Sequence, residues 1–210
     1  MKKTIKMMAL ILILLVIGLT SQSAKAQYDT TIIEYLTPTV IPQIAHITSA
    51  GTIIFDIPID TIESYLLQTI YIENEENISI SYLNIERFGN LIDGYQYMLV
   101  FRVHCGAGIC LLYGTELGCD EGKEDEDPVI YPLAPEASKV ENTCAGDPCS
   151  ECHFTRSETT GQIKGCRCAD AEGRCNHTKK IIEGGVIQLS SSKNATWDYA
   201  AFFIMLGGEY

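Results

Sequence analysis

Six cysteines fall within the 32 residues from Cys144 to Cys175 (CAGDPCSECHFTRSETTGQIKGCRCADAEGRC), and this density limits what the segment can become. Phe154 and Ile163 stand nearly alone there as bulky apolar residues. A segment so poor in hydrophobic side chains cannot be ordered by an apolar core and needs cross-links, covalent or metallic. Which chemistry supplies them depends on the compartment, and the N-terminus speaks to that.

Lys2, Lys3 and Lys6 precede thirteen uncharged apolar residues, Met7 to Leu19, and Ala24-Lys25-Ala26 follows with small residues at the two positions a signal peptidase reads. This is the layout of a secretory signal peptide cleaved between Ala26 and Gln27. The apolar run is shorter than the roughly 20 residues of a membrane-spanning helix. Residues 1–26 contain no cysteine, which excludes a lipidated N-terminal cysteine in that segment. The expectation is a secreted or periplasmic protein with no membrane span after signal removal. Cleavage removes four lysines (2, 3, 6 and 25) and no acid, so the net charge moves from −12 to −16. So acidic a surface repels nucleic acid and anionic membranes. A protein or envelope component is the kind of partner left open.

In an exported chain the default fate of cysteine is the disulfide. The candidates are Cys105, Cys110, Cys119, Cys144, Cys149, Cys152, Cys166, Cys168 and Cys175. Six cysteines in the C-terminal cluster allow 15 pairings and the sequence does not choose among them. Cys166 and Cys168 are too close to bond comfortably with each other, so each would reach a different partner upstream. Cys105, Cys110 and Cys119 form a separate group, in which Cys105–Cys119 or Cys110–Cys119 would leave one thiol over. Nine is odd, so at least one thiol is free, metal-bound or paired with another chain.

Two sharper chemistries compete with the disulfide reading. Cys149-x2-Cys152 with Cys166-x-Cys168 offers four thiolates to a tetrahedral zinc, with His153, Cys175 and His177 in reserve. Cys144-x4-Cys149-x2-Cys152 has the spacing of three ligands in plant-type [2Fe–2S] ferredoxins, and CAGDPCSEC resembles their glycine-containing loop. Export as an unfolded chain and the surplus of downstream cysteines argue against a cluster. Cys149-Ser150-Glu151-Cys152 is also a C-x2-C that could cycle between dithiol and disulfide, although no thioredoxin-like βαβ pattern surrounds it. No cofactor is the leading expectation, with zinc the alternative.

The rest of the chain divides into a signal peptide (1–26), a domain at 27–135, the cysteine-rich module at 136–180, and a C-terminal strand segment at 181–210. Residues 27–50, with Pro38 and Pro42, suggest extended, edge-like chain. Thr52–Ile59 is a short strand candidate. Asp60 and Glu63 have capping-box spacing ahead of the stripe Ile62, Tyr65, Leu66, Thr69 and Ile70, which predicts a helix of about three turns. Residues 77–87 alternate and then shift register at Tyr82-Leu83, the mark of a β-bulge. After Gly89-Asn90 and Asp93-Gly94, Tyr95 to Val103 alternates with apolar residues on both faces, predicting a central strand. Residues 110–117 suggest another. DEGKEDED at 120–127 is a solvated loop that lacks the EF-hand order for calcium, and PVIYPLAPEAS at 128–138 looks like a module boundary. Residues 185–190 suggest a strand returning to the main sheet, and the apolar run 199–206 a buried final strand. Together these predict an α+β fold, with one helix packed on an antiparallel sheet and a loop-rich cysteine module after it.

The arrangement PCSECHF, then GCRC, then CNHT resembles a C-terminal module of uncharacterised secreted bacterial proteins, over about a fifth of the mature chain; the resemblance implies no activity. No Ser-His-Asp set with supporting context, nucleotide-binding glycine loop or H-E-x-x-H is present. His104 beside Cys105 would point to the opposite face of a strand. The sequence therefore reads as a disulfide-stabilised structural or binding protein. A secreted metal-binding protein and a thiol–disulfide oxidoreductase using Cys149 and Cys152 are the alternatives.

Overall fold

The computed structural model describes residues 38–75, 77–105, 109–122, 126–146, 149, 151–169, 173–190 and 194–209, with the side chains of Cys105, Ile109, Cys110 and Ser190 left aside. The expected signal peptide, its expected cleavage site and residues 27–37 lie outside this set. The chain divides into Met1–Tyr35, also outside it, and Leu36–Tyr210, the unit described below.

That unit is mostly β, with antiparallel sheets and two helices, rather than α+β with one helix. Its frame is an eight-stranded sheet. β4 (Ile78–Asn90) and β5 (Gly94–Cys105) form a long hairpin closed at Asn90↔Gly94. Gly89 and Gly94 have φ of +99° and +85°, values that glycine tolerates without steric cost. A Cβ at Gly89 would also collide with the Gly94 carbonyl oxygen. The β4 bulge falls between Ile80 and Tyr82, just ahead of the Tyr82-Leu83 register shift. β5 is central, pairing with β4 and with β6 (Ile109–Asp120).

The far edge of β6 is shared. β8 (Lys139–Gly146) pairs along Leu111–Thr115 and β7 (Val129–Pro132) along Leu117–Asp120. β7 continues to β1 (Ala45–Ile47) and β2 (Ile53–Phe55), whereas β8 continues to β11 (Cys175–Ile182). β1 therefore lies between two strands instead of on an edge, and its Ala45 and the preceding Ile44 are fully buried. Chain from both sides of residue 135 shares this one sheet.

Because β5 and β6 alternate, the sheet presents two apolar faces. On the first, Tyr97, Leu99, Phe101 and Val103 pack with Leu111, Tyr113 and Leu117. They are covered by α1 (Ile59–Thr69), α2 (Tyr199–Met205) and a three-stranded sheet ordered β12 (Val186–Ser190), β13 (Ala195–Asp198), β3 (Ile70–Ile72). Residues 185–190 thus join this small sheet and do not return to the main one. Trp197 is the hub, with ring centroids of Phe101, Tyr113, Tyr199 and Phe202 at 5.0–5.7 Å. Its indole N–H donates to Thr69 Oγ1 at 3.1 Å.

Two expectations about helices need correction. α1 begins at Ile59 after Pro58, and no side chain caps it. Asp60 already lies inside the first turn, where its charge suits the helix dipole but its carboxylate no longer occupies the cap. The run 199–206 forms the helix Tyr199–Met205 with Leu206 as its C-cap, and not a strand. Asp198 caps it by accepting from the Ala201 N–H at 3.0 Å, and Tyr199, Phe202, Phe203 and Leu206 are its buried positions. Their i, i+3, i+4, i+7 spacing is helical, but Ala200, Ala201, Ile204 and Met205 filled the intervening positions with apolar residues and hid the period.

Candidate functional site

The second face of the sheet carries the cysteines. Met98, Val100, Leu112 and Phe88 project there and pack with Cys144, Cys152, Phe154, Ile163, Cys166 and Cys175. The covering element is a hairpin of β9 (Cys152–Arg156) and β10 (Ile163–Cys168). It is a β layer, not a loop-rich appendage. Phe154 fits over Gly114, where a Cβ would lie 3.3 Å from both Phe154 and Met98, and meets Phe88 edge-on at 6.4 Å. The hairpin turn touches the β4–β5 turn. Asn90 Nδ2 donates to the Thr159 carbonyl at 3.1 Å, and Arg156 donates to the Arg87 carbonyl at 2.9 Å and to Glu86 Oε2 at 2.7 Å.

Three disulfides fasten this layer: Cys144–Cys166, Cys149–Cys168 and Cys152–Cys175, with Cα separations of 5.9, 5.8 and 6.0 Å. These lie within the range a disulfide spans without backbone movement. The first joins β8 to β10, the second joins the segment before β9 to β10, and the third joins β9 to β11. Cys166 and Cys168 reach two different upstream partners. Cys144 and Cys152 are fully buried, so the bridges supply core volume as well as cross-links. Extra apolar bulk comes from Phe88, Met98, Val100 and Leu112 on β4, β5 and β6, which the sparse cysteine segment did not need to provide.

The pairing bears on the other two chemistries. Cys149 and Cys152 are not bonded to each other, so the C-x2-C does not form the single dithiol–disulfide couple that an active site of that kind requires. A cysteine binds zinc only as a thiolate, and Cys149, Cys152, Cys166, Cys168 and Cys175 are all held as disulfides. Among the described residues, Cys149, Cys152 and Cys175 bring their sulfurs within 4.8 Å of one another. Cys166 is bonded away to Cys144, and the histidines are engaged elsewhere. His177 Nε2 lies 3.0 Å from Asn142 Oδ1, and burial, with Lys179 nearby, lowers its pKa. His153 Nε2 lies 3.5 Å from Glu151 Oε1.

Cys119 is a free thiol, so neither bridge expected for it forms. Cys105 lies opposite Ile109 at one end of the β5–β6 hairpin, and Cys119 lies ten residues further along β6. At about 3.3 Å per residue that is roughly 33 Å, far beyond disulfide reach. Cys110, nine residues from Cys119 on the same strand, is excluded in the same way. Burial, with Glu121 and Asp120 nearby, raises the Cys119 pKa and keeps it a weak nucleophile. The side chains of Cys105 and Cys110 lie outside the described set. His104 on β5 turns its Nε2 to Ser81 Oγ at 2.7 Å.

Beside the bridges is a cleft of about 300 Å³ lined by Tyr82, Glu86, Arg102, Leu112, Glu151, His153 and Phe154. Arg102 organises it. Its Nη1 meets Glu151 Oε1 at 2.9 Å, its Nη2 donates to the Cys152 carbonyl at 3.3 Å, and its guanidinium lies 5.7 Å from the Tyr82 ring centroid. The Tyr82 hydroxyl donates to Glu86 Oε1 at 3.0 Å, and burial raises its pKa. The Arg102 side chain is only 11% exposed, so this is a charge held in place by the hairpin above it. Arg102 was visible in sequence only as the polar residue on the Met98/Val100 face of β5. Tyr82, Glu86 and Glu151 carried no signal, because β4 and the hairpin meet only in the folded chain. No family model, curated protein or solved structure matches this chain.

Proposed function

We propose that this is an exported protein with a structural or binding role at the cell envelope or outside the cell, and that the cleft around Arg102 is its contact surface. The observation that carries the reading is the covalent fastening of the β9–β10 hairpin over Arg102. Three bridges fix the hairpin wall of the cleft over the sheet wall before any ligand arrives, and fixing a site in advance lowers the ordering cost of binding. Disulfides in this number suit an oxidising compartment, and no helix among the described residues is long and apolar enough to cross a membrane. With carboxylates, a guanidinium, an imidazole and a phenol around an aromatic wall, the cleft suits a polar group of a partner protein or envelope component.

The test is a photo-crosslinking residue placed at position 153 in the cleft, with the exposed position 68 on helix α1 as the control, in the exporting cell. A discrete adduct from 153 that is lost on Glu86→Gln supports the contact surface. Equal labelling from both positions, or no adduct from 153, overturns it. A second reading, binding of zinc by the cysteine cluster, rests on the proximity of the Cys149, Cys152 and Cys175 sulfurs. It requires reduction of both bridges first.

A further inference from the structure

Two of the three bridges touch. Cys149 Sγ lies 3.4 Å from Cys175 Sγ, although each is bonded elsewhere, and these two sulfurs lie with Cys152 Sγ inside a 4.8 Å group. The fourth sulfur, on Cys168, is bonded to Cys149, and Cys168 is the direct cross-strand partner of Cys152 in the β9–β10 hairpin. Directly opposed residues of an antiparallel pair have Cα atoms about 4.5–5.5 Å apart, within the range that a disulfide accepts. The same four cysteines can therefore be joined in a second way, as Cys149–Cys175 and Cys152–Cys168.

We propose that these four residues form a thiol-catalysed disulfide switch with two pairings. A small monothiol, as thiolate, attacks Cys168 Sγ. The Cys149–Cys168 bond breaks, a mixed disulfide forms on Cys168, and Cys149 leaves as thiolate. Its sulfur already stands beside Cys175, and rotation of the freed side chain brings it into line. Cys149 then bonds to Cys175 and the Cys152–Cys175 bond breaks, expelling Cys152 as thiolate. Cys152 attacks Cys168 across the hairpin, forms Cys152–Cys168 and returns the monothiol. Two disulfides are present before and after, no electrons are gained or lost, and the monothiol acts as a catalyst. Each step is ordinary exchange through a mixed disulfide.

The two pairings hold different structures. In the first, Cys152–Cys175 ties β9 to β11. In the second, the hairpin is closed on itself through Cys152–Cys168 and β11 is tied instead to Cys149, three residues before β9, while Cys144–Cys166 still holds β10 to β8. Arg102 is anchored to the Cys152 carbonyl and to Glu151, so the switch acts on the wall of the cleft. Cys144–Cys166 takes no part.

The experiment uses the oxidised mature protein carrying Cys119→Ser, with any accessible thiols blocked under native conditions, incubated with catalytic reduced glutathione near pH 8 and quenched with acid. Asp147, Glu151, Arg156, Arg167 and Arg174 provide protease sites that separate all six cysteines for mass mapping. Peptides joined through Cys149–Cys175 and Cys152–Cys168 should rise together from zero to a shared plateau, with the free-thiol count unchanged and Cys144–Cys166 intact. Persistence of the starting pairs alone overturns the proposal, and so does indiscriminate scrambling that draws in Cys144 and Cys166. In the Cys149→Ser/Cys168→Ser protein, where Cys152–Cys175 has no exchange partner, no new pairing should form; any that does also overturns it.

Discussion

The two faces of the main sheet are held by different means. The first is closed by bulk, with Trp197, Phe101, Tyr113, Tyr199 and Phe202 interlocked under two helices and a small sheet. The second is closed by a hairpin with few large apolar residues, fastened at three points by sulfur. The difference follows from the sequence of the covering elements. Segments rich in Phe, Tyr and Ile bury enough area to order themselves, whereas β9 and β10 offer little beyond Phe154 and Ile163 and need cross-links that restrict the unfolded chain.

Substitutions should separate the faces, and the largest effect belongs to the aromatic one. Trp197→Ala should cost about 3–5 kcal/mol, because the cavity left among four rings cannot collapse and Thr69 loses its indole partner. Denaturant titration checks this, and loss of the whole fold rather than of one layer is the expected signature. Removing one staple, as Cys144→Ser/Cys166→Ser, should cost about 2–4 kcal/mol. It should also raise trypsin cleavage at Lys164 and Arg167 while Trp197 fluorescence is retained. Equal sensitivity of both faces to bridge removal would erase the distinction.

A third prediction concerns pH. Glu141 on β8 is buried and lies in the region of Lys139, and burial pushes its carboxyl up to about 7. The folded state therefore holds this proton more tightly than the unfolded chain, whose carboxyl titrates near 4.5. The contribution from this group is complete below that lower value and is lost as pH rises through about 7. Glu141→Gln should flatten that decline, as read by urea unfolding at a series of pH values. The smallest effect is expected at Asp198→Ala, about 1 kcal/mol, for loss of the cap on α2.

The parts legible in the sequence were those where one face of one element decides the outcome. The Tyr95–Val103 alternation marked a central strand, and the Ile62/Leu66/Thr69 stripe marked α1. Legibility failed where a pattern was saturated or non-local. Tyr199–Met205 is apolar almost throughout, so its helical period was masked. The Arg102 cleft draws Tyr82 and Glu86 from β4 and Glu151 and His153 from a segment about seventy positions away, a juxtaposition that no local pattern encodes. Cys119 was grouped with Cys105 and Cys110 by nearness in sequence, yet a straight strand carries it away from both.

The most direct test of the account is peptide mapping of the exported, unreduced protein after blocking free thiols at acid pH in denaturant. The account predicts peptides joined through Cys144–Cys166, Cys149–Cys168 and Cys152–Cys175, with Cys119 carrying the blocking group. Blocking groups on Cys149, Cys152, Cys168 and Cys175, with zinc in the native mass spectrum, would contradict it.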